Sequence, residues 1–367
     1  MNKLIQRLLP KKNHFMGIDI GAYEIKAAEI KIIEDIAEVV ALRRCPASPG
    51  VWTDQLDEES LVMALREIAS PDLKEVITCI GGEKLVSRLI RLPRMSDKEL
   101  ESAARFEIEK FVPTPVDQLI VRYVRLDPEE EKESQAPKIR IFVPRTGETK
   151  IINGNPGTEG QNILLLAAPA ATIYQYHSIF SRAGMVVTAV DLKAFALWRL
   201  FGRNGEDNTA ILDIGSKTSH FVLVKDGLIK FNRLLPAGGE ILTEYISESL
   251  GVGPQEATQI KEEAAVTLDD RGDYGATRIS SVLREVLPDI TRELQRSLDY
   301  CEQENIPAGK LVLCGGTSKL TGLTGYLEDV FELPVETGVP PLEFSGSATY
   351  DPAYAVAIGL ALREACT

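Results

Sequence analysis

Cysteine and histidine are scarce in this chain, and neither is arranged to hold a metal. The five cysteines, Cys45, Cys79, Cys301, Cys314 and Cys366, are scattered and form no Cys-x-x-Cys pair. Cys79 and Cys314 lie in apolar runs that read as buried strands, so the expectation is reduced core thiols in a cytoplasmic protein. The three histidines, His14, His177 and His220, have no ligand spacing with each other or with the cysteines, which argues against zinc. Positive charge is in the minority: 41 Lys and Arg against 54 Asp and Glu give a formal net charge of -13. Such a surface repels phosphate backbones and anionic membrane faces, which argues against general nucleic-acid binding. No run approaches the roughly 20 apolar residues that span a bilayer. The N-terminus also lacks the sustained apolar region and small-residue cleavage site of a signal peptide. A cytoplasmic location is the expectation.

What is present is length and apolar content. The 367 residues, 44% of them hydrophobic, exceed the size at which one core divides, so two lobes are expected. Phe15 to Ile20, Ile25 to Ile33 and Ala37 to Arg43 read as successive strands. Val76 to Ile80 and Leu85 to Leu92 read as two more. Ser96 with Glu99 forms a capping box that starts a helix ending before Pro113. Asp127 to Lys138 is a charged loop, Ile139 to Val143 a short strand, and Thr146 to Gly160 a loop or hairpin. From Ile163 a strand-helix-strand-helix unit reaches Arg203. Three strands then occupy 209–235, and helices follow at 239–250, 254–265 and about 276–304, the last containing Pro288. Asp351 and Pro352 read as the start of a final helix. Alternating strands and helices make this an α/β chain.

One element occurs twice. Gly17-Ile-Asp-Ile-Gly-Ala22 and Ile211-Leu-Asp-Ile-Gly-Ser216 each end an apolar strand in Asp, place Gly two residues on, and open a three-strand run. The glycine permits a tight turn and close approach to a ligand, and successive turn N–H groups can hold an anion. Asp19 and Asp213, at the strand tips, can reach Mg²⁺ through water. Two such hairpins facing each other would grip a polyphosphate from both sides. Leu311-Val-Leu-Cys-Gly315-Gly316-Thr317-Ser318 adds a strand, a Gly-Gly-Thr turn and a helix, where a flat purine can lie on the backbone. Gly238-Gly239 before a helix can line the same cleft.

The duplicated hairpin resembles the actin, Hsp70 and sugar-kinase superfamily. Within it, Phe15 to Lys26, Arg105 to Pro113, Arg292 to Tyr300 and Gly315 to Leu323 are similar to the PilM family of type IV pilus assembly proteins, over about residues 15 to 364. The resemblance implies the two-lobed actin-like ATPase fold, with duplicated RNase H-like domains and an FtsA-type subdomain 1C. It implies subdomain 1A at 1–91 and 166–205, 1C at 92–165, 2A at 206–237 and 306–342, 2B at 238–305, and a final helix at 343–367 returning to 1A. The implied cofactors are ATP and Mg²⁺. The implied nucleotide contacts are Asp19, Gly21, Ala22, Lys26, Asp213, Gly215, Ser216, Lys217, Thr218 and Gly315 to Thr317, with Lys261. Lys26 has an alternative reading as an exposed strand lysine. Asp191 lies where superfamily members place a water-orienting residue, and alternatively caps a helix. Relatives carry Ala-Glu-x-x-Lys where this chain has Ala257-Thr258-Gln259-Ile260-Lys261, so the acidic ribose contact is in doubt.

The resemblance also implies partners. They are the N-terminal cytoplasmic tail of PilN and, through it, the pilus motor ATPases at the inner face of the inner membrane. Phe106 and Phe111, on or beside the helix Ser96 to Lys110, are expected to form the tail's groove; otherwise they are core. A second class of function is an FtsA- or MreB-like filament, with self-association, and a third is an actin-fold kinase. The basic, amphipathic leader 1–12 is expected to dock on a membrane surface or on a neighbouring copy; otherwise it is a frayed start with a solvated face.

Overall fold

Two sheets share one strand order. The computed structural model describes residues 13–34, 36–81, 84–126, 160–203, 208–266, 274–346 and 348–365. The chain begins with β1 (His14–Ile20), β2 (Glu24–Ile33), β3 (Ile36–Pro46), α1 (Glu58–Glu67), β4 (Glu75–Cys79) and β5 (Val86–Pro93). It continues through α2 (Asp97–Glu109), β6 (Leu119–Arg125), β7 (Gly160–Pro169), α3 (Ala170–Arg182), β8 (Val186–Asp191) and α4 (Lys193–Phe201). The second half holds β9 (Thr209–Ile214), β10 (Ser219–Lys225), β11 (Leu228–Leu235), α5 (Gly239–Leu250), α6 (Pro254–Glu263) and α7 (Tyr274–Gln303). Last come β12 (Lys310–Cys314), α8 (Leu323–Phe331), β13 (Val335–Thr337), β14 (Glu343–Phe344) and α9 (Ala355–Ala365).

The first sheet runs β14-β3-β2-β1-β4-β8 and the second β11-β10-β9-β12-β13. In each, three strands joined in sequence pair antiparallel, and two more then add in parallel. The antiparallel strands need only short turns, whereas the parallel ones need crossovers, which the intervening helices supply. The order 3-2-1-4-5 thus occurs twice, which is the duplication the two hairpins imply.

The chain returns to its first half at the end. β14 pairs parallel with the outer edge of β3, and Ala355 to Leu362 of α9 are buried without a break. A helix apolar all round must be enclosed, and α9 is wedged between β1 and α4. Two glycines allow it: a Cβ at Gly17 would sit 2.1 Å from the Ala357 carbonyl oxygen, and one at Gly359 would sit 2.2 Å from that of Ala196. The cluster under α9 also takes in Ile211, Val222 and Val224 of the second sheet, so the two lobes are joined at their base by shared core.

A third sheet, β5-β7-β6, carries α2 on one face through Leu100, Ala104 and Ile108. The α2 capping box forms as its residues dictate, with Glu99 Oε2 accepting from Ser96 N at 2.9 Å. Pairing of β5 with β7 runs from Val86 to Pro93 and β7 continues to Pro169, so this sheet extends past 92–165 at both ends. The β5–β7 partnership is long-range and leaves no mark in either segment alone. Asp351 caps a short 3-10 turn, accepting from Ala353 N at 2.9 Å, ahead of α9. Pro288 sits inside α7. The charged loop at 127–138, the strand at 139–143, most of the loop at 146–160, the leader 1–12 and Cys366 lie outside the described residues. Cys45, Cys79, Cys301 and Cys314 are free and buried.

Candidate functional site

The two Asp-x-Gly hairpins close in the same way. Gly21 N donates to Glu24 O at 3.0 Å, and Gly215 N donates to Thr218 O at 3.1 Å. A Cβ would lie 2.7 Å from Glu24 O in the first and 2.8 Å from Thr218 O in the second, so each turn admits only glycine. Asp19 and Asp213 precede these turns by two residues, on strands held in register by β2 and β10. Between the hairpins lies a cavity of about 850 Å³.

Most of the residues singled out from sequence meet on its walls. Asp19, Gly21, Ala22 and Lys26 line it from the first lobe. Asp213, Gly215 to Thr218, Lys261 and Gly315 to Thr317 line it from the second. Lys26 is therefore a cleft residue, its ammonium 3.4 Å from Glu24, not an exposed strand lysine. Gly315 has φ +87°, and a Cβ there would lie 2.5 Å from Asp213 Oδ1, so this turn too requires glycine. Gly238 and Gly239 sit behind the second hairpin. Gly239 N donates to Gly215 O at 2.9 Å and Glu240 N to Ser216 O at 2.8 Å, so the start of α5 braces that hairpin. Lys261 Nζ donates to Gly239 O at 3.1 Å and Thr243 Oγ1 at 2.7 Å, and burial lowers its pKa. Thr258 occupies the place of the expected acid, but Glu240, Glu244 and Glu248, one turn apart on α5, and Glu262 line the same wall.

Asp191 is placed elsewhere. Its carboxylate is 0% exposed, 2.6 Å from Arg199 Nη2 and 3.7 Å from Arg363 Nε, and it is absent from the cavity wall. Its Oδ1 accepts from the adjacent Leu192 N, and Leu192, not Asp191, occupies the N-cap position of α4, with no side-chain capping bond. The geometry gives Asp191 a structural ion pair in place of the water-orienting and capping roles.

Sequence reading missed Lys193. This first residue of α4 places Nζ 3.1 Å from Asp19 Oδ1, with 18% of its side chain exposed. Burial acts to lower its pKa, but Asp19 and then Asp213 outweigh that, and the net shift is upward. Asp213 is shifted up as well, by burial first, with Lys193 opposing. Nothing in the spacing betrays Lys193, because the contact forms only once β8 and β1 end side by side around β4. Cys79 and Cys314 flank the two aspartates, and burial pushes both thiols well up, leaving them protonated and inert.

The donor set does not fit a divalent ion held by the protein. Among the described residues no group of three or more His, Cys, Asp or Glu is arranged for a metal. Of the two carboxylates that could take one, Asp19 already pairs with the Lys193 ammonium.

A smaller apolar cavity borders the first hairpin. Trp52 and Tyr176 stack there at 4.1 Å, and Trp52 Nε1 donates to Ile20 O at 2.8 Å. Among the described residues, no helix is long and apolar enough to cross a membrane.

Residues 210–359 match the family described as cell division protein FtsA. FtsA of Neisseria meningitidis serogroup B is 23% identical over 391 residues, covering 97% of this chain and 91% of that protein. A chain of the solved PilM-PilN type IV pilus biogenesis complex superposes with a TM-score of 0.78 at 25% identity, covering 97% of this chain and 99% of that one. The MamK double helical filament superposes with a TM-score of 0.53 at 14% identity, covering 97% and 99%, and shares the fold alone. The chain has the actin-like fold, and residues 210–359 of its second half are similar to the FtsA family.

Proposed function

We propose that the chain binds ATP between its lobes and acts as a scaffold of type IV pilus assembly. In this reading it holds the N-terminal cytoplasmic tail of PilN and links that membrane protein to the pilus motor ATPases at the inner face of the inner membrane. The observation that carries it is the likeness, over nearly the full length of both chains, to the PilM-PilN complex. The division into subdomains 1A, 1C, 2A and 2B, with the described three-stranded sheet as 1C, belongs to the same proposal. The paired hairpins and the open backbone at Gly315 to Thr317 support a nucleotide as ligand. Magnesium stays outside this reading, because Lys193 already pairs with Asp19, one of the two carboxylates expected to hold it.

Gly316 tests the site. A Cβ there meets nothing within 4 Å, so Gly316→Leu should fold normally and fill the purine's place. Calorimetry should show ATP binding weakened at least tenfold; unchanged affinity removes the site assignment. The tail is assigned to the α2 face, where Phe106 is 63% exposed with the Lys110 ammonium 4.9 Å from its ring. Phe111, partly covered, has the Arg88 guanidinium 5.2 Å from its ring. An extended peptide can lay apolar side chains between such rings. Phe106→Ser should weaken binding of a PilN-tail peptide several-fold and spare ATP; peptide binding that survives it places the groove elsewhere.

The FtsA-family match favours a second reading, an FtsA- or MreB-like filament. ATP-dependent sedimentation of the purified protein would support the filament, and its absence the scaffold. Phosphate transfer to a sugar in a mixing assay would favour the kinase alternative.

A further inference from the structure

We propose that Lys193 is the resident cation of the cleft: its ammonium, paired with Asp19 in the cavity that Asp213 also lines, stands in for a divalent ion, so that the nucleotide's polyphosphate binds without metal. The proposal rests on the nucleotide reading of the cavity. Three features of the site carry it.

The first is position. Lys193 Nζ lies 3.1 Å from Asp19 Oδ1, and Asp19 is itself only 8% exposed at its side chain. Both aspartates and Lys193 line the same cavity, at the level where the two hairpins face each other.

The second is charge. Two carboxylates at the floor of a triphosphate site repel the ligand unless cations offset them. Here Lys193 pairs with Asp19, while Lys26, whose ammonium is 3.4 Å from Glu24, lines the same cavity with Asp213. Lys193 offsets Asp19 in the site as built. A dication added beside Lys193 would meet an ammonium at carboxylate-contact distance, and like charges so close disfavour each other where water is scarce. The phosphate oxygens can instead take the lysine N–H groups and the turn N–H groups directly.

The third is anchoring. A stand-in for an ion must be held in place. Lys193 opens α4, whose next residues Ala194, Phe195, Ala196 and Leu197 are buried. Ala196 N donates to Leu192 O at 3.0 Å, closing the helix's first turn around the lysine. The Lys193 backbone is thereby fixed to the core shared by the lobes, and only the ammonium end is free to turn from carboxylate to phosphate.

The test uses Mg²⁺ and ATP on the full chain, wild type and Lys193→Ala, with Lys193→Gln as the neutral substitute should the alanine variant misfold. Wild type should bind ATP within threefold in EDTA and in millimolar MgCl₂. The variant should bind at least tenfold more weakly in EDTA than in MgCl₂, because hydrated Mg²⁺ can then enter between the carboxylates. Without nucleotide, MgCl₂ should leave the wild-type Tm unmoved and raise that of the variant. A wild type that loses ATP more than tenfold in EDTA overturns the proposal. So does a folded variant that binds ATP equally in both buffers, or that loses it in both, since Lys193 would then be an ordinary phosphate contact. If wild type binds no ATP under either condition the nucleotide reading fails, and the metal-only Tm comparison still decides whether the lysine excludes the ion.

Discussion

At the scale of single residues, the chain shows how far a short motif carries. Asp19, Gly21, Asp213 and Gly215 were legible because the turn that needs them is local: a strand tip, a carboxylate and a glycine, all within three positions. Lys193 was not legible, because its partner lies across two strands. Asp191 misled for the same reason; an aspartate after a strand and before a helix looks alike whether it caps, orients water or pairs. Arg199, 4% exposed at its side chain, decides the matter. Removing the charge from a buried pair leaves the partner uncompensated, which typically costs about 3–5 kcal/mol. Asp191→Asn should therefore lower the urea midpoint markedly and leave ATP affinity within twofold. A water-orienting residue would give the opposite, normal stability with altered turnover, so one denaturation curve and one calorimetric titration separate them.

At the scale of elements, punctuated and apolar segments were readable: α2 from its capping box, and the three-strand runs from their apolar residues. Sheet membership was not. β5 joins β7 and not the first sheet, and the two-residue β14 exists only because α9 must return to the first lobe. The packing of α9 gives a sharp prediction. Glycine inside a helix costs about 1 kcal/mol relative to alanine, so by propensity Gly359→Ala should stabilise α9. The added Cβ would instead stand 2.2 Å from a backbone oxygen of α4, which cannot turn aside as a side chain would. Overpacking of this kind costs about 1–3 kcal/mol, enough to reverse the sign. Urea unfolding of Gly359→Ala should show a net loss of stability; a gain would mean that α9 is not seated against α4 as described.

At the scale of the whole molecule, length and the repeated hairpin were enough to expect two lobes, but not the contacts that set them against each other. One such contact is a part-buried relay. His220, on β10 opposite Asp213, has Nε2 2.6 Å from Asn232 Oδ1 on β11, and Asn232 Nδ2 donates to Ser87 Oγ on β5 at 2.9 Å. Since the amide NH₂ is committed to Ser87, its oxygen must accept, and Nε2 of His220 carries the proton. Nδ1 then stays bare, without a hydrogen-bond partner among the described residues. A second proton on His220 would be buried, unpaired and close to Lys193. Burial first and Lys193 second accordingly bring its pKa from the usual 6.5 down to about 4. The sign follows from linkage. Between roughly pH 6.5 and 4 the unfolded chain binds a proton at this position and the folded chain does not, so stability rises with pH across that window. The contribution is fully present above the unfolded pKa and is lost as the pH falls toward the folded one. By pH 5 the loss from this single group should reach about 2 kcal/mol, at 1.36 kcal/mol per pH unit. His220→Gln, whose amide can still donate to Asn232, removes the titration and keeps the relay. Unfolding free energies of wild type and His220→Gln at pH 7.5 and pH 5 should therefore converge at the lower pH by about that amount. Equal pH dependence in the two proteins would show that His220 gains its proton in the folded state as easily as in the unfolded one, and that the relay between the lobes is open to water.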